Sequence, residues 1–364
     1  MSKRRVLDLL ASMIQFPSLS GEEREICSYM QSYVEDAGIE NKRIDNSLYF
    51  WLGNGSNRLL LASHLDVVPP SSEHPYLPFE ATHINGKIYG RGASDAKASG
   101  AAMTSALLEL ADENWVPDNG QLIVALTECE ETDYENNGLQ KLLQTSLPRP
   151  QAALIGEPTN LVPIVAQKGL LVVRLDSTGK SAHAARHALG ENAILKASDD
   201  IQRLLNLKFD RTHPILGKVS VNVTSIQGGT ARNVIPDHCI IYLDIRSTPS
   251  YTHDEIVDTI RNIVDSEVSV HSGRIVPVST EIDECIVHAC LDAAPGTQPE
   301  GSPTASDWIY LKGIPSVKIG PGSSELSHTS NEHVEEKEVL WAVDFYKAAV
   351  KGYFSRTSAT ESSS

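Results

Sequence analysis

The length, composition and charge of the chain limit what kind of protein it is. With 364 residues it is too long for one compact core, so we expect two domains. Its 41% apolar and 21% charged residues are typical of a soluble globular protein, and its formal net charge of −16 argues against binding to nucleic acid or to an anionic membrane surface.

The N-terminal segment and the cysteines predict a cytoplasmic protein without membrane partners. The first five residues carry positive charge, but Asp8 and Gln15 interrupt the apolar run that a signal peptide needs. No stretch reaches the roughly 18 apolar residues of a membrane span. Five cysteines are odd in number and form no C-x-x-C pair, which indicates reduced thiols.

Short apolar segments alternate with helical patterns in both terminal parts of the chain. Ser20-Gly21-Glu22-Glu23 is a capping-box pattern in front of one helix, and another helix is predicted over 98–110. Four segments have the length and boundaries of strands: 59–62, 122–126, 152–155 and 316–319. This alternation predicts an α/β fold with a mainly parallel sheet that is flanked by helices.

The middle of the chain has a different pattern. From residue 169 it predicts a strand (170–176), a helix (191–205), two strands (219–226 and 239–245), a helix (254–264) and a strand (267–271). The order β-α-β-β-α-β is that of a ferredoxin-like α+β domain. We therefore expect an inserted domain over 169–274, and a larger domain formed by 1–168 and 275–364.

Histidines and carboxylates follow the ends of the predicted strands, where open α/β sheets bind their ligands. Each alone has an ordinary explanation, such as a helix N-cap for Asp95 or a solvated loop for Glu130 and Glu131. Together they predict a metal site, because zinc binds His nitrogen and Asp or Glu oxygen. The residues are His64, Asp66, Asp95, Glu130, Glu131, Glu157 and His328.

These residues lie in motifs that run through nearly the whole chain. The motifs are Ser63-His64-Leu65-Asp66, Gly90-Arg91-Gly92-Ala93-Ser94-Asp95, Glu130-Glu131, Gly156-Glu157-Pro158-Thr159, Ser181-Ala182-His183, Asp244-Ile245-Arg246 and Ser327-His328-Thr329. In kind and order they resemble the dinuclear zinc metallopeptidases that include acetylornithine deacetylase, succinyl-diaminopimelate desuccinylase and glutamate carboxypeptidase. One departure is Cys129, which stands where many members have Asp.

The resemblance implies a metal centre with two Zn²⁺ ions per chain, for which Co²⁺ is an alternative. One ion would be bound by His64, Asp95 and Glu157. Asp95 would bridge to the second ion, which Glu131 and His328 would complete. Three carboxylates and two neutral histidines around two divalent ions leave one surplus positive charge, which a bridging hydroxide can neutralise.

The resemblance also implies catalytic and substrate-binding roles. Glu130 would be the general base, and Asp66 would orient His64 from behind. The inserted domain would form a homodimer, in which His183 would donate to the oxyanion at the partner's active site. A substrate carboxylate needs a cation or donor, and the candidates are Arg246, with its planar fork, followed by Asn233 and Lys168.

The expected function is hydrolysis of the amide bond of a small N-acyl amino acid. The specific expectation is deacetylation of N-acetylornithine in arginine biosynthesis. A succinyl-diaminopimelate desuccinylase, an amino-group-carrier lysine or ornithine hydrolase and a dipeptidase would share this machinery, so they remain open. A non-catalytic metal-binding regulatory homologue is disfavoured, because the base Glu130 and all five metal ligands are present.

Overall fold

The computed structural model describes residues 5–131 and 136–361. The chain forms two compact units. The first takes in the described residues of Met1–Val165, Thr280–Glu300 and Ser306–Ser364, and the second takes in Ala166–Ser279 and Gly301–Ala305. The predicted inserted domain, 169–274, lies within the second unit.

The helices and strands are as follows. The helices are α1 Arg5–Ile14, α2 Arg24–Asp36, α3 Lys97–Asp112, α4 Gly138–Thr145, α5 Ala193–Leu205, α6 His253–Arg261, α7 Cys285–Ala293 and α8 Glu336–Glu361. The first strands are β1 Asn41–Ile44, β2 Ser47–Gly53, β3 Asn57–His64, β4 Thr82–Ile84, β5 Lys87–Tyr89, β6 Gly120–Thr127, β7 Ala152–Ile155, β8 Ile164–Gln167 and β9 Gly169–Thr178. The remaining strands are β10 Ala182–His183, β11 Ser220–Gly228, β12 Val234–Ile235, β13 His238–Ser247, β14 Glu267–Ile275, β15 Val278–Ser279, β16 Glu300–Ser302, β17 Ser316–Lys318 and β18 His333–Glu335.

The main sheet of the first unit has a parallel centre and antiparallel edges. Its strand order is β1-β2-β6-β3-β7-β17-β8. The four strands β6, β3, β7 and β17 run parallel to one another, whereas β1 pairs with β2, β2 with β6 and β8 with β17 in antiparallel fashion. The predicted mainly parallel α/β sheet is therefore confirmed, with reversed strands at both sides of the parallel centre.

Burial explains why the central strands are apolar runs. All four residues of β7 are buried, and so are the last six of β3. Helix α3 packs against α1, α8 and the strands β2, β3 and β6, and nearly all of its side chains are buried. Strands covered by helices lack the alternating polar face of a solvated sheet.

The second unit has the predicted ferredoxin-like fold. Its elements follow the order β9, α5, β11, β13, α6, β14, and its antiparallel sheet has the order β11-β13-β9-β14. Alternate residues of β9 and β13 are buried, as expected for a sheet with one helix-covered face. The apolar core lies between that face and the helices α5 and α6.

The predicted capping box at Ser20–Glu23 does not form. Helix α2 begins at Arg24, and the side chain of Glu23, at its N-cap, makes no capping hydrogen bond. Ser20 Oγ instead donates to Asp66 at 2.6 Å, and Glu23 accepts from the Gly21 amide at 2.8 Å. Both side chains therefore bond to groups outside helix α2.

Among the described residues, no helix is long and apolar enough to cross a membrane.

Candidate metal centre

The candidate metal ligands converge where the parallel strands end. His64 is the last residue of β3, Glu130 and Glu131 follow β6, and Glu157 follows β7. Since β6, β3 and β7 are parallel neighbours, their carboxyl ends lie at one edge of the sheet. Asp95 reaches the same place from the segment between β5 and α3.

Asp95 lies between two sets of potential ligands. Its Oδ1 is 3.3 Å from His64 Nε2, and Glu157 Oε1 is 4.0 Å from the same nitrogen. Its Oδ2 is 3.6 Å from His328 Nε2, and that nitrogen is 2.9 Å from Glu131 Oε2. Ligand atoms of His64, Asp95 and Glu131 all lie within 4.8 Å of one another. The Asp95 carboxylate therefore directs one oxygen towards each of the two histidines.

Asp66 supports both His64 and the turn that carries the two glutamates. His64 Nδ1 lies 2.9 Å from the Asp66 carbonyl oxygen and 3.4 Å from its side-chain Oδ1, so the backbone is the nearer partner of the ring. The carboxylate of Asp66 accepts from the backbone amides of Glu130 at 3.1 Å and Glu131 at 3.0 Å. The orienting residue expected from the sequence thus holds two elements of the site.

The electrostatics of this cluster fit a divalent metal. Burial raises the pKa of Glu130 well above its usual range, and repulsion from Glu157 adds to the effect. Burial, opposed by His64 and reinforced by Asp95, raises the pKa of Glu157 to about 8. Burial also raises the pKa of Glu131, against a hydrogen bond from His328. Crowded, buried carboxylates of this kind are stabilised in their charged form by bound cations.

An ion pair that the sequence analysis did not single out holds the Asp95 segment. Arg91 and Glu332, both almost fully buried, form a salt bridge. The other oxygen of Glu332 accepts from the backbone amides of Ser94 and Asp95, each at 3.0 Å. Glu332 lies four residues beyond His328, so it connects the two segments that supply the central ligand and the second histidine.

Two further buried ionisable residues near the site were also missed. Lys318, at the end of β17, has a lowered pKa because burial outweighs the attraction of Glu157 and Glu130. Asp307 accepts a 2.6 Å hydrogen bond from Asn137, and burial raises its pKa to about 7. Neither lies in a motif that identifies it from the sequence, because each meets its partners only through the fold.

The remaining predicted residues are in the second unit. The side chain of Arg246, on β13, is bonded through Nε and Nη2 to Asp244 at 2.9 and 3.2 Å, and its side chain is 40% exposed. His183 is exposed, and its Nδ1 accepts from the Ala185 amide at 3.1 Å. Asn233 is exposed and Lys168 is partly buried.

Comparison with known proteins identifies the family. The sequence model of peptidase family M20/M25/M40 matches residues 60–352 of this chain. The chain belongs to this family. It is 31% identical over 329 residues to the acetylornithine deacetylase of Myxococcus xanthus, which covers 85% of this chain and 83% of that protein. A Staphylococcus aureus relative named "Probable succinyl-diaminopimelate desuccinylase" is 25% identical over 406 residues, covering 96% and 97% of the two chains.

Solved structures agree with the fold of this M20 protein. Aminopeptidase PepT from Bacillus cereus aligns with a TM-score of 0.78 at 21% identity, covering 97% of this chain and 99% of that one. The YXEP protein of Bacillus subtilis, described as a dinuclear metal-binding peptidase of the M20 family, aligns with a TM-score of 0.73 at 18% identity, covering 95% and 97%. Family membership establishes that the chain is a hydrolase acting on amide bonds and that the ligand cluster is its candidate metal site.

Proposed function

We propose that this M20 enzyme removes the acyl group from a small N-acyl amino acid, with N-acetylornithine as the substrate. The observation that carries the reaction type is the position of Asp95 between two ligand sets, one with His64 and one with His328. The acyl specificity is supported by the similarity to the M. xanthus deacetylase, which is the basis for naming acetylornithine and arginine biosynthesis.

The proposed metal centre holds two zinc ions. His64, Asp95 and Glu157 would bind one ion, and Asp95, Glu131 and His328 would bind the other. When bound, two such ions lower the pKa of a water molecule and polarise the scissile carbonyl. Cobalt suits the same nitrogen and oxygen ligands and is an alternative.

Glu130 is the proposed general base. It is adjacent to the ligand Glu131 in the chain, its amide is fixed by Asp66, and the charges of Glu157 and Glu131 act on its carboxylate. Burial raises its pKa, which suits a group that must take a proton from water and release it to the leaving nitrogen near neutral pH.

The test of this assignment is the isosteric variant Glu130→Gln. It should keep the fold and bound metal while kcat falls by about 10²- to 10⁴-fold. Near-normal kcat with metal bound would mean that Glu130 is not the base.

The second unit would bind the substrate carboxylate and form the dimer. Arg246 bonds Asp244 through Nε and Nη2, so it would offer the other edge of its guanidinium, formed by Nη1 and Nη2, to the substrate carboxylate, with Asn233 and Lys168 as further contacts. Strand β11 is at an edge of its sheet and exposes Val223 and Ile226, the kind of edge through which a second copy can pair.

His183 is proposed as an oxyanion donor to the partner subunit's site. Since its Nδ1 accepts a hydrogen bond, the neutral ring carries its proton on Nε2, where it can donate. The cytoplasmic location predicted from the sequence would suit a biosynthetic hydrolase.

A substrate panel tests the specific function. Purified, zinc-loaded enzyme is assayed with N-acetylornithine, N-acetylcitrulline, N-succinyl-diaminopimelate, an amino-group-carrier protein loaded with lysine or ornithine, and simple dipeptides. The highest kcat/KM is expected for N-acetylornithine. A preference for the succinylated substrate would favour the desuccinylase alternative, which the 25% identical relatives support. Metal binding with no turnover of any amide would favour a regulatory protein.

A further inference from the structure

The turn that carries Glu130 is held by carboxylates on three consecutive backbone amides. The Cys129 amide donates to Glu23 Oε1 at 3.0 Å. The amides of Glu130 and Glu131 donate to the two oxygens of Asp66 at 3.1 and 3.0 Å. Asp66 was already expected at the site, whereas Glu23 comes from a different element, 106 residues before Cys129 in the chain.

Cys129 needs such support because its backbone has an unfavourable conformation. Its φ is 55°, in the left-handed region that is unfavourable for residues other than glycine. Such a residue keeps its conformation only when its surroundings hold it, and here its amide is bound to a carboxylate. Since Cys129 directly precedes Glu130, its backbone conformation sets the direction in which the chain continues into Glu130.

Glu23 is placed for this contact and not for stabilising its own helix. It occupies the N-cap of α2 but makes no side-chain capping bond. It is completely buried, and its Oε1 accepts from both the Gly21 and the Cys129 amides. Within the described residues its Oε2 has no hydrogen-bond partner. A carboxylate buried with one oxygen unsatisfied carries a desolvation cost, and a functional contact explains why it stands there.

The Cys129 thiol is a second link to the same carboxylate. Its Sγ lies 3.7 Å from Glu23 Oε1. At this distance the thiol can donate a weak hydrogen bond to the carboxylate.

We infer that Glu23 is a positioning residue for Glu130, acting through the Cys129 amide. The length of its side chain places the accepting oxygen at the Cys129 amide. This hydrogen bond holds the turn in the conformation in which the Glu130 carboxylate can reach the attacking water. This inference rests on the proposed role of Glu130 as the base. A displacement of a catalytic group by about 1 Å can cost on the order of 100-fold in rate. Because Glu23 would act on the position of the base, we expect its replacement to lower kcat and to leave substrate binding unchanged.

Two conservative variants of Glu23 distinguish the effect of its side-chain length from the effect of its charge. Glu23→Gln keeps an oxygen at the same distance and loses the charge. Glu23→Asp keeps the charge but shortens the side chain by one carbon–carbon bond, about 1.5 Å, which takes the acceptor away from Cys129. A third variant, Glu23→Met, keeps the length and removes the acceptor.

For each zinc-loaded variant we compare kcat, KM, metal content and Tm. The kinetic assays use the best amide substrate of the panel, at a temperature well below the lowest Tm of the variants. We expect kcat to fall roughly 10- to 100-fold in the Asp and Met variants, with KM and metal content unchanged. Glu23→Gln should recover most of that loss. The matched control is Asn57→Leu, which removes hydrogen bonds to Thr357 and Tyr353 at the opposite end of β3. It should lower Tm and leave kcat at the wild-type value.

The outcomes distinguish failure of this inference from failure of the base assignment. If Glu130→Gln is inactive while Glu23→Asp keeps wild-type kcat, Glu23 does not position the base, and the inference is overturned. The same holds if the Asp variant is active and the Gln variant is not, because charge and not reach would then matter. If Glu130→Gln is itself active, the base assignment fails, and the inference fails with it. Should Glu23→Met not fold, the Asp and Gln pair alone decides.

Discussion

Breaking the buried ion pair between Arg91 and Glu332 should destabilise the first unit more than most single substitutions do, because it leaves a buried charge unpaired. In Glu332→Ala, the Arg91 guanidinium, whose side chain is 2% exposed, would be left without its counter-ion. The amides of Ser94 and Asp95 would also lose their acceptor. Removing one partner of a buried ion pair costs about 3–5 kcal/mol. At ~2–4 °C of Tm per kcal/mol, the expected decrease is roughly 6–20 °C.

An exposed ion pair provides the matched control for this prediction. Glu113 bonds Lys347 at 2.6 Å and Lys351 at 2.7 Å, but its side chain is 42% exposed. Surface pairs contribute about 0–1 kcal/mol, so Glu113→Ala should leave Tm nearly unchanged. Both variants are measured by differential scanning calorimetry on metal-free protein. Similar Tm shifts for the two variants, or a shift below about 2 °C for Glu332→Ala, would refute the reasoning from burial.

Three other predictions concern the substrate, the dimer and pH. Arg246→Lys should raise KM more than it lowers kcat, because lysine keeps the charge without the bidentate geometry; an unchanged kcat/KM would show that Arg246 does not contact substrate. Co-assembly of a His183→Ala chain with a Glu130→Ala chain should restore part of the activity, since one site of the heterodimer would have both residues intact. No recovery despite proven subunit exchange would exclude action in trans, and an active monomer would exclude the dimer. The carboxyls of Glu157 and Asp307 have pKa values raised to about 8 and about 7, so the folded metal-free protein binds more protons than the unfolded chain. Its stability should therefore decrease as the pH rises from 5 to 7, as measured by urea denaturation with chelator present; constant or increasing stability would contradict these shifts.

The sequence predicted the fold and the convergence of the candidate ligands because both follow from local rules. Parallel strands align their carboxyl ends, so residues just after β3, β6 and β7 meet regardless of the distance between them in the chain. The ferredoxin-like unit was predictable from the order of its elements. The reversed strands beside the parallel centre were not, because strand direction depends on pairing partners that periodicity does not reveal.

The supports of the site escaped prediction because they are long-range contacts. Glu332 meets Arg91 across 241 positions, and Asn137 meets Asp307 across 170. Glu23 was misassigned for a related reason: the local pattern of a capping box is present, but the fold provides its carboxylate with a better partner at Cys129. The hydrogen bonds that a local pattern predicts do not form when a buried amide elsewhere would otherwise lack an acceptor.

Metal stoichiometry measured together with activity tests the proposed dinuclear centre most directly. Chelator-treated enzyme is titrated with Zn²⁺ while bound metal is determined by elemental analysis and amide hydrolysis is followed. We predict that activity reaches its maximum only with two ions bound per chain, and that His64→Ala or His328→Ala lowers this number. Full activity with one ion per chain or fewer would contradict the dinuclear centre that Asp95 is proposed to bridge.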